Sequence, residues 1–303
     1  MSGKSMLAVS VDIEDWYHTP SVTGSLFSRY KDVKGFFDKW QDRYDYLSAP
    51  TNTVLDLLDR LNVHATFFIV ADVTEHYPGL VEKIVDKGHE IACHGLHHAC
   101  AINRITKKAI ISQKDFEARM AEAKRELEKI CKEKVIGFRA PSAYIAGWML
   151  DSLERVGYKY DSSVCVNSLY NKSDSKPKNV TTVPYYPEMS SLERGEEKRI
   201  LEIPWAYLNI LRLKFPTSGG PFLRFLGARY IMSGLKQSLK MGDTVFYFHP
   251  LDISNDKFPV VFSAKRPFYW CIKGEVVERR IKHILTNINT EFSTCRDIWE
   301  KHG

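Results

Sequence analysis

No apolar run in this 303-residue sequence approaches the length of a membrane span. That absence argues against an integral membrane protein. The N-terminus, MSGKSMLAVSVDIEDW, places one lysine before a short apolar run that Asp12 interrupts. A secretory leader needs a longer apolar core and a small-residue cleavage site. The expectation is a cytoplasmic protein, at most peripheral to the inner membrane. Cysteine is sparse: Cys93, Cys100, Cys131, Cys165, Cys271 and Cys295, with no C-x-x-C pair. The usual dithiol redox and cysteine-zinc patterns are thereby excluded, and free thiols are expected. Cys93 adjoins His94 but sits in the apolar pattern EIAC, so it reads as packing. Neither sign of charge dominates: 43 Lys and Arg face 37 Asp and Glu, for a net +6 and a pI near 8.8. The basic residues are spread along the chain, which excludes a nucleic-acid stripe but suits an anionic small molecule or membrane surface.

What the sequence does contain is a globular balance, 44% hydrophobic and 26% charged. MLAVSVD reads as a buried strand ending in acids, and a helix is expected near residues 31–41. TNTVLDLLDRL is helical, HATFFIV a strand, YPGLVEKIVDKG a helix stopped by Gly, and HEIAC a strand. A long amphipathic helix follows over about 112–132, then a strand in VIGFRAP, a helix in AGWMLDSLERVG and a strand in YKYDSSV. Residues 168–200 are loop-like, and ILEIPWAYL resumes an extended pattern. FPTSGGPF is a turn cluster whose Gly219 and Gly220 read as a plain turn or a loop over a cleft. A helix over about 224–240, the strand DTVFYFHP and a helix over 274–287 complete the pattern. Strand and helix alternate without a domain break. This predicts an α/β fold built on a parallel sheet, open or closed into a barrel. Catalytic groups in such folds gather at the C-terminal ends of strands. Asp12, His94, Arg139, Asp161 and His249 all have that address.

The stretch VDIEDWYH sets Asp12, Glu14 and Asp15 within four positions. Carboxylates this close repel, and a cation or shifted pKa values relieve the repulsion. His94 and His98 are four positions apart, which suits a divalent metal, and His97 could replace His98 in an extended segment. Two imidazoles and one carboxylate would leave metal positions open for water and substrate. A second carboxylate nearby could then act as general base. Trp16, Tyr17 and His18 could line a cleft, because aromatic faces stack on sugar rings; core packing is the alternative for Trp16.

VDIEDW, ATFF, EIACHGLHH, GFRAP, YDSS and FYFHP, in this order and spacing, resemble the motifs of the NodB-homology polysaccharide deacetylases, carbohydrate esterase family 4. SVDIEDWYH resembles the exopolysaccharide-associated branch. The resemblance covers about residues 5–255. It implies a distorted (β/α) barrel within one domain over 1–303, with 256–303 as a helical and loop extension. It also implies metal-dependent removal of an acetyl group from an N- or O-acetylated sugar. By the same resemblance Asp12 is the general base, Arg139 holds it, His249 is the general acid and Asp161 orients His249. His94, His98 and a second acid would hold a divalent metal, Zn2+ as the first choice, with Co2+, Ni2+ or Mn2+ as alternatives. Strand parity favours Glu14 as that acid, whereas a turn after Asp12 would bring in Asp15; the reading leans to Asp15. Pro141 and Tyr144 would contact substrate, and a backbone N–H near Ala143 or Tyr144 would serve the oxyanion. The sequence departs from the family in carrying Ser142 where an aromatic is usual, and in lacking a Trp near Asp161.

The expected substrate is a nucleotide- or lipid-linked precursor of a surface polysaccharide. The basic, aromatic stretch from 207 to 240 could rest on a membrane. A related C–N hydrolase acting on a formyl group or small amide, and a silent sugar-binding module, are the rival readings.

Overall fold

The computed structural model describes residues 4–19, 22–23, 28–41, 45–168, 170–175, 181–259 and 268–303. Its centre is an eight-stranded parallel sheet. The strands are β1 (Met6–Ile13), β2 (Thr66–Ile69), β3 (Glu90–Cys93), β4 (Gly137–Phe138), β5 (Tyr160–Asp161) and β6 (Leu201–Glu202). An antiparallel hairpin, β7 (Tyr207–Ile210) and β8 (Leu213–Pro216), stands outside the sheet. β9 (Thr244–Phe248) and β10 (Glu291–Ser293) complete it. β1 is the hub. One edge pairs with β9, and the other is shared between β10 beside Met6–Ala8 and β2 beside Ser10–Ile13. A single bridge from Trp205 to Val245 links the chain after β6 back to β9. The sheet thus curls into an incompletely closed barrel, in agreement with the expected distorted (β/α) architecture.

Alternation along the strands decides which side chains face inward. Leu7, Val9, Val11 and Ile13 pack outward against the helices with Phe67, Ile69, Phe246 and Phe248. Met6, Ala8, Phe68, Ala92, Tyr160, Leu201, Val245 and Tyr247 fill the interior. Both faces are covered, so every residue of β1 is buried. Each fully buried large apolar side chain contributes roughly 1.5–3 kcal/mol. On β1 the inward polar residues, Ser10 and Asp12, lie in its C-terminal half, while at the opposite end of the interior Glu90 accepts from Thr66 Oγ1 and the Tyr160 hydroxyl. Gly137 is required by this packing, because a Cβ there would meet the Tyr160 ring at 2.1 Å.

Helices fall close to the expected places: Val33–Lys39, Ser48–Leu61, Leu80–Asp86, Gln113–Cys131, Gly147–Val156, Gly220–Leu239 and Glu275–Asn287. Two elements differ from the sequence reading. The 207–216 hairpin turns through Leu211 and Arg212, both at positive φ (48° and 69°), and carries none of the Gly or Asn that announce such a turn. The C-terminal segment is more than a helical extension. It supplies β10, and its helix Cys295–His302 sends Cys295, Ile298 and Trp299 into the interior cluster. Among the described residues, no helix is long and apolar enough to cross a membrane.

Candidate active site

Inward parity carried past the ends of β1, β3, β4 and β9 brings Asp12, Glu14, His94, Arg139 and His249 to one cleft of about 70 Å³. His98 joins them from the turn after β3, where its backbone is left-handed (φ 54°). Ligand atoms of Glu14, His94 and His98 lie within 4.8 Å of one another. His94 donates from Nδ1 to the Arg139 carbonyl at 2.8 Å, and His98 from Nδ1 to the His18 carbonyl at 3.1 Å. Both Nε2 atoms are thereby left as the ligating nitrogens. Burial pushes the His94 pKa down to about 4, keeping a neutral imidazole with an available lone pair. His98 Nε2 is buried without a hydrogen bond, although Glu14 Oε2 is 2.7 Å away. That contact sets lone pair against lone pair unless a proton or a cation lies between them. The donor set of two imidazoles and a carboxylate therefore fits a divalent metal.

Asp15 does not join the cluster. It caps the single turn Trp16–His18, accepting from the Trp16 N–H, and its other oxygen accepts from the Tyr77 hydroxyl. Burial drives its carboxyl up to about 7, against both hydrogen bonds. The leaning toward Asp15 is corrected to Glu14: the inward parity of Ser10 and Asp12 persists through Glu14, and the turn begins only afterwards.

Asp12 is 3% exposed and pairs with Arg139, whose Nη1 reaches Oδ1 at 2.6 Å. The guanidinium is fully buried. It also donates to Ser10 Oγ at 3.0 Å, the Ser162 carbonyl at 2.9 Å and Ser162 Oγ at 3.0 Å, and lies 4.0 Å from the centre of the Phe68 ring. The remaining Asp12 oxygen, Oδ2, faces His249 Nε2 at 3.9 Å. His249 Nδ1 donates to Asp252 Oδ2 at 3.0 Å, and Nε2 lies 3.3 Å from Glu14 Oε1. Burial opposes the charged imidazolium, but Asp252, with Glu14 and Asp12, raises its pKa to about 9. Burial likewise opposes ionisation of Asp252, and Arg224 and His249 overcome it.

Asp161 is not the partner of His249, a second correction. Strand alternation turns it away from the inward Tyr160, and its carboxylate accepts from Ser163 Oγ at 2.7 Å and from the Ser163 N–H at 3.1 Å. Burial raises its pKa, and it shares a hydrogen bond with buried Glu202. The orienting acid is Asp252, three residues beyond His249, and the HPLD spacing is the signal that could have identified it.

Trp16 packs in the core edge-on against Phe258 and Trp270, 5.0 and 4.9 Å away, and does not line the cleft. His18 is buried and engages Asp72 at 2.9 Å; its link to the site is the carbonyl that holds His98. Pro141 and Tyr144 are not among the described residues that line the cleft, whose wall there is Ala140, Ser142 and Ala143. The Ala143 and Tyr144 N–H groups donate to the Ala140 and Pro141 carbonyls, so neither is available to an oxyanion. Gly219 is no loop over the cleft: it packs against the Tyr247 main chain. Trp205, Tyr247 and Lys172 complete the lining and escaped the sequence reading. Trp205 Nε1 donates to the Ser162 carbonyl at 2.8 Å, supplying next to Arg139 the tryptophan missing near Asp161. Its place after the extended ILEIP run was the available signal.

Residues 35–160 match the family model described as polysaccharide deacetylase, and residues 173–300 match a domain of unknown function, DUF3473. A peptidoglycan-N-acetylglucosamine deacetylase of Bacillus cereus is 33% identical over 112 residues, covering 36% of this chain and 49% of that protein. A peptidoglycan-N-acetylmuramic acid deacetylase of Bacillus subtilis is 29% identical over 115 residues, covering 38% of this chain and 41% of that protein. The chain thus spans about half, or less, of the length of these curated relatives. A crystal structure described as a polysaccharide deacetylase from Mycobacterium smegmatis shares the fold, with a TM-score of 0.62 and 18% identity over 99% of this chain and 91% of that one.

Proposed function

We propose, for a chain that carries the polysaccharide deacetylase domain of the NodB/CE4 family, that its cleft hydrolyses the acetyl group of an N-acetylated or O-acetylated sugar. The carrying observation is the convergence of Glu14, His94 and His98 beside two separate proton-handling pairs, Asp12–Arg139 and His249–Asp252.

Glu14, His94 and His98 would hold one divalent metal, zinc first by the preference of imidazole and carboxylate donors. When bound, such an ion supplies Lewis acidity to an acetyl carbonyl and lowers the pKa of water. The remaining chemistry belongs to the side chains. Asp12 takes the proton from the attacking water, and Arg139 fixes the carboxylate so that one oxygen points into the cleft. Water adds to the carbonyl carbon, and the bond from that carbon to the sugar nitrogen then breaks. His249 donates its Nε2 proton to the departing nitrogen, and Asp252 holds the ring in the donating orientation. Trp205 and Tyr247 wall the cleft and restrict water.

A lipid- or nucleotide-linked precursor of a surface polysaccharide is the substrate we favour. The hairpin tip supports contact with an anionic membrane: Leu211 is 92% exposed, Ile210 and Leu213 are about half exposed, and Arg212 lies between them. Co-sedimentation with phosphatidylglycerol vesicles, reduced by Leu211→Glu, would support that contact, and equal binding to neutral vesicles would count against it.

Acetate release from N-acetylglucosamine oligomers by the zinc-loaded chain tests the activity. Turnover that disappears in both Asp12→Asn and His249→Ala is expected. Turnover that survives both substitutions would overturn the reading.

A further inference from the structure

A second cavity, about 240 Å³, opens beside the cleft and shares Ala143 and Lys172 with it. The cleft itself has little room beyond the group being hydrolysed. Together the two spaces reach the roughly 300 Å³ at which small-molecule pockets begin. The cavity's polar lining comes from Lys172, Lys214, Asn167 and Asn171 with two serine hydroxyls, and no acidic residue is among the described lining residues. Lys172 is held in place by donating to the Ser142 carbonyl at 3.0 Å. Lys214 sits on β8, whose backbone exchanges hydrogen bonds with Ser168 at 2.8 and 3.0 Å, and its ammonium lies 5.1 Å from the Tyr207 ring centre. More positive charge borders the site: Lys107 lies over both the Tyr144 and Tyr170 rings, at 4.7 and 5.1 Å, and Arg104 over Tyr144 at 5.7 Å.

We infer that this cavity is a subsite for an anionic group, a carboxylate or a phosphate, carried next to the acetylated sugar. The inference rests on the deacetylase reading for the identity of the neighbouring unit. Two ammonium groups around one half-enclosed space attract an anion more strongly than they would in open water. Ala143 and Lys172 line both spaces, so an anion in the cavity would lie next to a sugar in the cleft. Lysine donors are point charges on flexible stems and suit either a phosphate or a carboxylate. Partial burial lowers the pKa of Lys214, and an anion in the cavity would oppose that shift.

The test compares binding and turnover by the zinc-loaded 303-residue chain. The probes are a neutral N-acetylglucosamine disaccharide, the disaccharide of N-acetylglucosamine with glucuronate, and N-acetylglucosamine 1-phosphate. Calorimetry at low salt should show at least one anionic probe binding about tenfold or more tighter than the neutral one. Added salt should erode the difference. Preference for the phosphate would indicate a linked precursor, and preference for the glucuronate an acidic glycan. Lys172→Gln with Lys214→Gln should remove most of the preference, Lys214→Gln alone should remove part of it, and Lys214→Arg should keep it. The inference is overturned if no anionic probe outbinds the neutral one, or if the glutamine variants weaken all probes alike. Binding is read without turnover. Anion preference in a protein that releases no acetate would overturn the deacetylase reading alone, and acetate release without anion preference would overturn only this subsite.

Discussion

Adjacent carboxylates have opposite fates at the end of β1. Glu14 stays on the inward face with two imidazoles, and Asp15 turns back to cap one helical turn. Glu14→Ala should therefore lose stoichiometric zinc, measured by elemental analysis after gel filtration, because two ligands rarely retain it. Asp15→Ala should keep its zinc and lose about 1–3 kcal/mol of stability in denaturant unfolding, from the lost cap and the lost hydrogen bond from Tyr77. His249 provides a second comparison. Its pKa of about 9 keeps it protonated at neutral pH, so amide hydrolysis should fall as pH rises through that value. Asp252→Asn preserves the hydrogen-bonding shape but removes the leading source of the upward shift. The basic limb of the rate profile should then move toward the ordinary 6.5. His249→Ala should slow amide hydrolysis about a hundredfold or more, and much less the hydrolysis of an aryl acetate, whose leaving group needs no proton. Linkage carries the same sign. A histidine whose folded pKa exceeds 6.5 adds stability below 6.5, and the contribution is lost as pH climbs through about 9.

Elements position the site by close backbone approach. Gly219, just before the helix Gly220–Leu239, has φ 22°, and a Cβ there would lie 2.0 Å from the Tyr247 carbonyl oxygen. Backbone cannot yield as a flexible side chain can. Gly219→Ala should cost about 1–3 kcal/mol in thermal unfolding. It should also lower turnover, because Tyr247 lies on β9 two residues before His249, which follows directly on the strand's end. The periodic elements were legible in the sequence because three or four turns of apolar spacing, or a run such as TFFI, signal themselves locally. The hairpin at 207–216 was not, since a turn through Leu211 and Arg212 lacks the residues that favour positive φ. Nor was β10, three residues whose only reason to be extended is the edge of β1 left open below β2.

The whole molecule couples distant halves through one sheet, so metal affinity should register as global stability. A ligand at a thousand times its dissociation constant adds about 4 kcal/mol. Zinc should raise the melting temperature, a chelator should reverse the rise, and His94→Ala should show neither change in differential scanning fluorimetry. By itself the sequence determined the alternation of strand and helix, and it placed Asp12, His94, Arg139 and His249 at strand ends, with His98 four positions after His94. These are statements about a few neighbouring residues, and local spacing encodes them. Only the tertiary structure decided between Glu14 and Asp15, replaced Asp161 with Asp252, and brought Trp205 beside Arg139. Each of those choices depends on which strand neighbours which, and on which face a side chain leaves. Strand order and register are fixed by burying the whole apolar surface at once, and no short window of sequence contains them.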